Sequence, residues 1–145
     1  MIGIGNDHGG YELKMHIKKL LESKGLEDKD FGIHNTDAID YPDIAAPVCH
    51  SVVSGECEFG ILVCGTGIGM SMAANKIDGI RAAHVTDSYS GKMTKMHNNA
   101  NVLCLGGRIT GVEIATEIIE AYLNAEFQGG RHENRVNKVM ALENR

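Results

Sequence analysis

The residues best suited to chemistry lie around a glycine-rich segment near the middle of the chain. Cys64 ends an apolar run, residues 59–64, and the sequence Gly-Thr-Gly-Ile-Gly follows at residues 65–69. Glycines that open a helix leave backbone N–H groups facing an anion, and the same surroundings favour a thiolate. The pattern predicts an anion-binding turn beside a reactive sulfur. A packed cysteine before a tight strand-to-helix connection would give the same residues.

Polar residues elsewhere in the chain could act together with this turn. His97-Asn98 ends one predicted helix, and Asp7-His8 lies between the first predicted strand and a pair of glycines. These side chains could bind or protonate a small polar ligand. Each dipeptide also has a plain structural interpretation, since a histidine can cap the C-terminus of a helix and an aspartate can cap the N-terminus.

The distribution of charge suggests where an anion would bind. The chain holds 14 basic and 19 acidic residues, a net charge of −5, which is not typical of a nucleic-acid-binding protein. All arginines lie late in the chain: Arg81, Arg108, Arg131, Arg135 and Arg145. Arg131 and Arg135 are four residues apart, so on a helix they share a face. They could bind an anion at this site or across a subunit boundary, or form a solvated basic face.

Strand-like and helical runs alternate along the chain. Apolar runs predict strands at about residues 2–6, 59–64, 80–85 and 101–105, and residues 27–32 could form a further strand that their charged residues weaken. A helical pattern follows each of them. The alternation predicts a parallel sheet with helices on both faces, a three-layer α/β/α sandwich of the Rossmann-like class, in one domain over residues 1–145. Ligands of such folds bind beyond the carboxyl ends of the strands, which here are residues 7–8, 64–69, 86–87 and 106–108.

Several details of the helices can be predicted from single residues. In the first helix an apolar stripe leaves Lys14 and Lys18 on the opposite, polar face. Pro47 lies inside the second helix and suggests a late start or a kink. Asp87 is placed to cap the helix that starts at residue 88, and Thr110-Gly-Val-Glu fits a capping box for the helix after the fifth strand.

Several classes of protein are disfavoured by what the chain lacks. No apolar run approaches the roughly 18 residues that a spanning helix needs, and no positive region precedes the first apolar residues, so we expect neither membrane association nor a signal peptide. The cysteines form no CxxC pair, and we expect reduced thiols in a cytoplasmic protein, with Cys49, Cys57 and Cys104 used for packing or surface. The spacing typical of a catalytic metal site, such as HExxH, is absent.

Taken together, these residues resemble the type B ribose-5-phosphate isomerase family, which includes galactose-6-phosphate and allose-6-phosphate isomerases. The resemblance covers essentially the whole chain. It is carried by DHGG at residues 7–10, DYPD at 40–43, the long motif GILVCGTGIGMSMAANK at 60–76, HN at 97–98, NVL at 101–103 and GGRHENR at 129–135.

The resemblance implies an aldose–ketose isomerase that interconverts D-ribose 5-phosphate and D-ribulose 5-phosphate through an enediolate, without metal or cofactor. By resemblance, Cys64 is the base that moves a proton between C2 and C1, His97 opens the sugar ring, and Thr66 positions the sugar. The amides of Gly65, Thr66, Gly67, Ile68 and Gly69 would hold the enediolate oxygen. Asp7, Tyr41 and Asn98 would contact the sugar, and His8, Arg108, Arg131 and Arg135 the phosphate.

The resemblance also implies a homodimer, or a dimer of dimers, whose C-terminal helix reaches the partner, so that Arg131 and Arg135 serve the other subunit's site. Two alternatives stay open. One is isomerisation of a six-carbon sugar phosphate such as allose 6-phosphate or galactose 6-phosphate. The other is a flavodoxin-like nucleotide-binding module, which would explain the alternating strands and the glycine turn but not Cys64, His97 or the arginine pair.

Overall fold

The computed structural model describes residues 1–144, and its centre is a five-stranded parallel sheet in the order β2-β1-β3-β5-β4. The strands are β1 (Ile2–Asn6), β2 (Asp28–Asp30), β3 (Phe59–Cys64), β4 (Ala82–His84) and β5 (Val102–Gly106). The helices are α1 (Tyr11–Ser23), α2 (Pro42–Val53), α3 (Ile68–Ala74), α4 (Ser88–Met96), α5 (Val112–Leu123) and α6 (Arg131–Ala141). The predicted parallel α/β architecture is confirmed.

Two apolar clusters, one on each face of the sheet, hold the layers together. One cluster joins β1, β3 and β5 to α1 and α5 through residues such as Ile17, Leu103 and Ile119. The other joins β3 and β5 to α2 and α3 through residues such as Val48 and Met70. Every residue of β3 is buried, as expected of a central strand covered on both faces.

Strand register defines the two edges of the sheet. Gly60 pairs with Val102 at the start of β3 and β5, and Cys64 pairs with Gly106 at their ends. Strand β1 runs alongside β3 with Asn6 opposite Val63. The residues that follow β1, β3 and β5 therefore meet at the carboxyl ends of the strands, which we call the carboxyl edge. The residues that precede the strands lie at the opposite, amino ends, which we call the amino edge.

The structure corrects two of the predicted helix starts. Helix α2 begins at Pro42, so the late start suggested by Pro47 is wrong; proline is well tolerated at the first helical position. The capping box is also wrong, because the residue that caps α5 is Gly111 and no side chain caps it. Thr110 instead closes the turn after β5, where its N–H donates to the carbonyl of Gly106 at 2.8 Å. Asp87 caps α4 as predicted, accepting from the N–H of Ser90 at 2.7 Å.

Lys14 is also placed differently from the prediction. Its side chain is fully buried rather than exposed on a polar face. The ammonium donates to the carbonyl of Ile33 at 2.7 Å and lies 3.0 Å from the carboxylate of Asp30, which Lys18 also contacts at 2.9 Å. These bonds explain how β2, a short edge strand of charged residues, is held in the sheet.

Replacing Asp30 with alanine should destabilise the fold strongly. The change leaves the Lys14 ammonium buried without its carboxylate, which costs about 3–5 kcal/mol. Burial by itself would raise the pKa of Asp30, but Lys18, the N–H of Gly32 and Lys14 outweigh it and lower the pKa. The stability from Asp30 is therefore present above the ordinary carboxylate pKa and is lost as pH falls below about 4.

Urea unfolding of Asp30→Ala and Asp28→Ala at neutral pH provides the measurement. Asp28 lies 3.4 Å from Lys18, whose side chain is 28% exposed, so its loss should cost about 1 kcal/mol or less. Equal unfolding midpoints for the two variants would contradict a stabilising role for the buried pair.

Candidate active site

Cys64 occupies the end of β3, at the carboxyl edge of the sheet. It is 4% exposed, and its Sγ accepts a hydrogen bond from the N–H of Gly67 at 3.1 Å. This bond requires the backbone to turn back sharply on the strand. Gly67 makes that turn at φ +83°, in the left-handed region that glycine adopts without strain. The sulfur is thus held by the turn that opens α3.

The amides of this turn are partly engaged within the protein. Besides the bond from Gly67 to Cys64, the N–H of Ile68 donates to Oγ1 of Thr66 at 3.2 Å. Thr66 and Ile68 are both exposed. The turn is therefore held by its own hydrogen bonds, and two of its five amides have acceptors within it.

The end of β5 brings Arg108 to the same turn. The N–H of Gly107 donates to the carbonyl of Cys64 at 2.7 Å, and the N–H of Arg108 donates to the carbonyl of Gly65 at 3.0 Å. These bonds continue the pairing of β3 and β5 past their last residues. The guanidinium lies over Gly65, where an added Cβ would come within 3.4 Å of it. A positive charge is therefore fixed beside the cysteine turn.

Asp7, His8 and Tyr41 complete the carboxyl edge. The N–H of Asp7 donates to the carbonyl of Val63 at 3.1 Å, which places Asp7 next to the end of β3. The three side chains line one cleft of about 480 Å³. Tyr41 also packs against the start of α3, since a Cβ at residue 69 would lie 2.7 Å from its ring. We use the name carboxyl-edge group for Asp7, His8, Tyr41, residues 64–69 and Arg108.

The remaining predicted residues lie elsewhere. His97 follows the last turn of α4, just before the segment that leads into β5. It shares a cavity of about 340 Å³ with the exposed Asn98 and with Arg135 of α6. Arg131 is exposed in the first turn of the same helix. We use the name amino-edge group for His97, Asn98, Arg131 and Arg135.

The two groups lie at opposite edges of the sheet. At the amino edge, the N–H of Asn101 donates to the carbonyl of Arg81 at 3.0 Å, one residue before each of β5 and β4 begins. From Asn101 to Gly106 the chain rises about 16 Å, at about 3.3 Å per residue. One chain therefore does not bring His97 and Cys64 to the same small ligand. The two residues that the resemblance assigns to one site are therefore separated within the chain.

Two residues that the sequence analysis did not assign complete the amino-edge cavity. Arg81 lines it and is anchored by a bond from its Nε to the carbonyl of Asn99 at 2.8 Å. His132 also lines it and is 8% exposed, and its ring is stacked on that of His97 with centroids 4.1 Å apart and planes 5° apart. Burial, then His97, Arg131 and Arg135, lower the pKa of His132.

The other cysteines are packing residues, as predicted. Cys49, Cys57 and Cys104 are buried and form no disulfide. Burial raises the pKa of Cys49 to about 12 and raises that of Cys104 well above its ordinary value. A thiol with so high a pKa supplies almost no thiolate near neutral pH, so neither residue is a suitable base.

Within residues 1–144, no three or more histidine, cysteine, aspartate or glutamate side chains are grouped so that they could hold a metal ion. In the same part of the chain, none of the helices has the length and apolar character needed to cross a membrane.

Comparison with known proteins gives a consistent result. A family model described as Ribose/Galactose Isomerase matches residues 2–139. Ribose-5-phosphate isomerase B of Escherichia coli is 44% identical over 144 residues, 99% of this chain and 97% of the relative. D-erythrulose-4-phosphate isomerase of Pectobacterium atrosepticum is 45% identical over 139 residues, 95% of this chain and 91% of the relative. The solved structure of ribose-5-phosphate isomerase B from Clostridium thermocellum is 52% identical and superposes with a TM-score of 0.97 over 99% of this chain and 97% of the other.

Proposed function

Because the chain belongs to the ribose/galactose isomerase family and is a sugar phosphate isomerase, we propose that it interconverts D-ribose 5-phosphate and D-ribulose 5-phosphate. The observation that carries the proposal is the sulfur of Cys64, held at the end of β3 by the N–H of Gly67 at 3.1 Å and set beside Arg108. A base next to a fixed cation suits proton transfer on a phosphorylated sugar.

Cys64 acts as the base that carries a proton between C2 and C1. Taking the C2 proton of the open aldose leaves an enediolate with negative charge on O1. The proton on O2 then moves to O1, and returning the carbon-bound proton to C1 forms the carbonyl at C2 and gives the ketose. The N–H of Gly67 is aimed at the sulfur, and hydrogen bonds to an ionised acceptor are about twice as strong as bonds to a neutral one. The turn therefore stabilises the sulfur in the form that abstracts a proton.

The same turn stabilises the charge that develops on the sugar. We assign the enediolate oxygen to the amides of residues 65–69 that are not already bonded to Cys64 or Thr66. Donors fixed before the reaction need no reorganisation when charge develops, and removing one such donor typically costs about 3 kcal/mol of transition-state stabilisation. Asp7 and Tyr41, in the adjoining cleft, contact the hydroxyl groups.

Two chains together form each complete site. The carboxyl-edge group holds the base and the amino-edge group holds His97, and they lie at opposite edges of one sheet. A symmetric dimer brings the amino edge of one copy against the carboxyl edge of the other, twice. Arg131 and Arg135 then bind the phosphate with the partner's Arg108, which accounts for an arginine cluster in a chain of net charge −5.

His97 opens the sugar ring, a step needed because ribose 5-phosphate in water is mainly a furanose. The His97→Ala variant should lose about 10²-fold in the rate on ribose 5-phosphate, the usual scale of acid–base catalysis. Ribulose 5-phosphate cannot close a furanose, because its O5 carries the phosphate. Exchange of its C1 hydrogen with solvent deuterium, followed by NMR, should therefore continue in this variant. Equal losses in both assays would contradict a role in ring opening.

The length of the substrate can be tested directly, because the relatives carry names for four-carbon as well as five-carbon sugar phosphates. The favoured substrate has five carbons; isomerisation of allose 6-phosphate or galactose 6-phosphate is the alternative. The flavodoxin-like module gains no support, since nothing in that function needs Cys64 beside Arg108.

A panel of four-, five- and six-carbon aldose phosphates, compared by kcat/KM at one pH and salt concentration, tests the assignment. We expect ribose 5-phosphate to give the highest value. A higher value for a four- or six-carbon sugar would change the substrate and leave the isomerase class intact. The absence of both isomerisation and C1 exchange with every sugar would reject the proposed reaction.

A further inference from the structure

The amino-edge cavity contains a second imidazole for which the mechanism above has no use. His132 lies in the first turn of α6 and is 8% exposed. Its ring is parallel to that of His97 with centroids 4.1 Å apart, and both residues line the same cavity. Rings stacked in this way cannot hydrogen-bond to each other, so their nitrogen atoms stay available to a ligand in the cavity.

Opening a furanose needs two proton movements at neighbouring oxygens. The ring oxygen must gain a proton as its bond to C1 breaks, and the hydroxyl on C1 must lose one as the carbonyl forms. A single imidazole is either protonated or neutral, so it can perform only one of these movements at a time. An adjacent pair that holds one proton between its rings can perform both.

We propose that His132 is a second catalytic residue of ring opening, acting as the base while His97 acts as the acid; this inference rests on the isomerase function proposed above. The His97 imidazolium gives its proton to the ring oxygen and the C1–O bond breaks. The C1 hydroxyl gives its proton to neutral His132 and the C=O bond forms. The pair holds one proton before and after the step, and no oxidant or co-reactant is required.

The surroundings disfavour a positive charge on His132. Two imidazolium rings stacked at 4.1 Å would repel each other strongly. Arg131 and Arg135 of α6 both act on His132, so the fixed charges that act on its ring are positive. Arg81 approaches from the segment before β4 and also interacts with Glu143. The ammonium of Lys95 on α4 lies instead over the ring of Tyr122, at 5.3 Å. None of the residues that line the cavity is acidic.

His132 is the ring expected to stay neutral. Burial, together with His97, Arg131 and Arg135, lowers its pKa. A neutral imidazole near neutral pH is a competent base. Two interacting groups of this kind lose their protons in two separate steps that belong to the pair.

The His132→Phe variant tests the proposal, since phenylalanine keeps an aromatic ring stacked in the same place and removes the base. We expect the rate on ribose 5-phosphate to fall about 10²-fold, while C1 exchange in ribulose 5-phosphate stays at the parent rate. In the parent, the rate on ribose 5-phosphate should rise with pH as His132 loses its proton, and this limb should be missing from the variant. His34→Phe, which replaces an imidazole whose side chain is 75% exposed, is the matched control.

The outcomes separate this inference from the function it rests on. Full activity of His132→Phe on ribose 5-phosphate, or equal losses in the two assays, would overturn the role of His132 while the isomerase function stands. If the parent protein itself showed no exchange of the C1 hydrogen of ribulose 5-phosphate, the proposed isomerase function would be rejected instead. An NMR pH titration of the His132 nitrogens needs no turnover: His132 should lose its proton below the ordinary range for histidine, and a pKa of His132 above that range would overturn the assignment.

Discussion

The Cys64→Ser variant should fold normally and lose about 10³-fold or more of its turnover. An alcohol is a far weaker acid than a thiol, so almost none of the serine is ionised near neutral pH, and general bases of this kind contribute about 10²–10⁴-fold. The exchange of one buried atom for a smaller one leaves the hydrogen bond from the N–H of Gly67 possible. Both ribose 5-phosphate isomerisation and C1 exchange in ribulose 5-phosphate should fall together, since both need the same base.

Cys57→Ser is the matched control, because Cys57 is also buried, at 2% exposed, but follows α2 at a distance from the carboxyl-edge group. It should keep the parent rate in both assays. Near-normal C1 exchange by Cys64→Ser, in a variant whose melting temperature matches that of Cys57→Ser, would remove the sulfur from the reaction.

Two inactive variants should restore activity when they are combined in one dimer. In the proposed shared site, Cys64 comes from one chain and His97 from its partner. A purified mixed dimer of Cys64→Ser and His97→Ala chains would then have one site with both changes and one site with neither. We therefore expect about half of the parent rate on ribose 5-phosphate, compared with little activity from either homodimer. Co-expression with two affinity tags and sequential purification yields the mixed species.

The reciprocal mixed dimer gives the opposite result. When a parent chain is paired with a chain that carries both changes, each shared site contains one of the two substitutions. The activity of this dimer on ribose 5-phosphate should therefore be as low as that of the two homodimers. If His97 and Cys64 of one chain worked together, that dimer would keep about half of the rate and the first mixed dimer would have none. The two preparations thus distinguish a shared site from a site within one chain, using the same two substitutions.

The central strand and its turn could be predicted from sequence because local signals agree there. An unbroken apolar run of strand length leads into glycines at residues 65–69, and the structure places β3 and the start of α3 accordingly. The outer strands were harder to predict. Strands β2 and β4 have three residues each and only one neighbouring strand, so their composition is less constrained by burial.

The separation of the two groups could have been inferred from chain order. In a parallel sheet the residues that follow a strand and those that precede it lie at opposite edges. Asp7, residues 64–69 and Arg108 follow strands, whereas His97 and Asn98 precede β5. The motif resemblance assigns all of these residues to one site by their roles. It does not use their positions before or after a strand, which the parallel strand order turns into opposite ends of the sheet.

Neither the stacked imidazoles nor the buried Lys14 had a sequence signal of that kind. His97 and His132 meet only because α6 packs beside the end of α4, and no periodicity links residues so far apart. Lys14 lies on α1 among residues whose spacing suggested exposure, but its partner Asp30 comes from β2. Both features depend on tertiary contacts between elements whose local patterns do not specify each other.

Because Cys64 and His97 lie at opposite ends of the strands, the proposed mechanism makes dilution a form of inhibition. In the proposed shared site, a lone polypeptide would possess every required side chain but would lack the partner's ring-opening histidine beside its own Cys64, so specific activity on ribose 5-phosphate should decline as the protein concentration drops below the dissociation constant of the pair. Substitutions that weaken subunit association, far from any ligand, would then mimic the loss of a catalytic group in cells that make little of this protein.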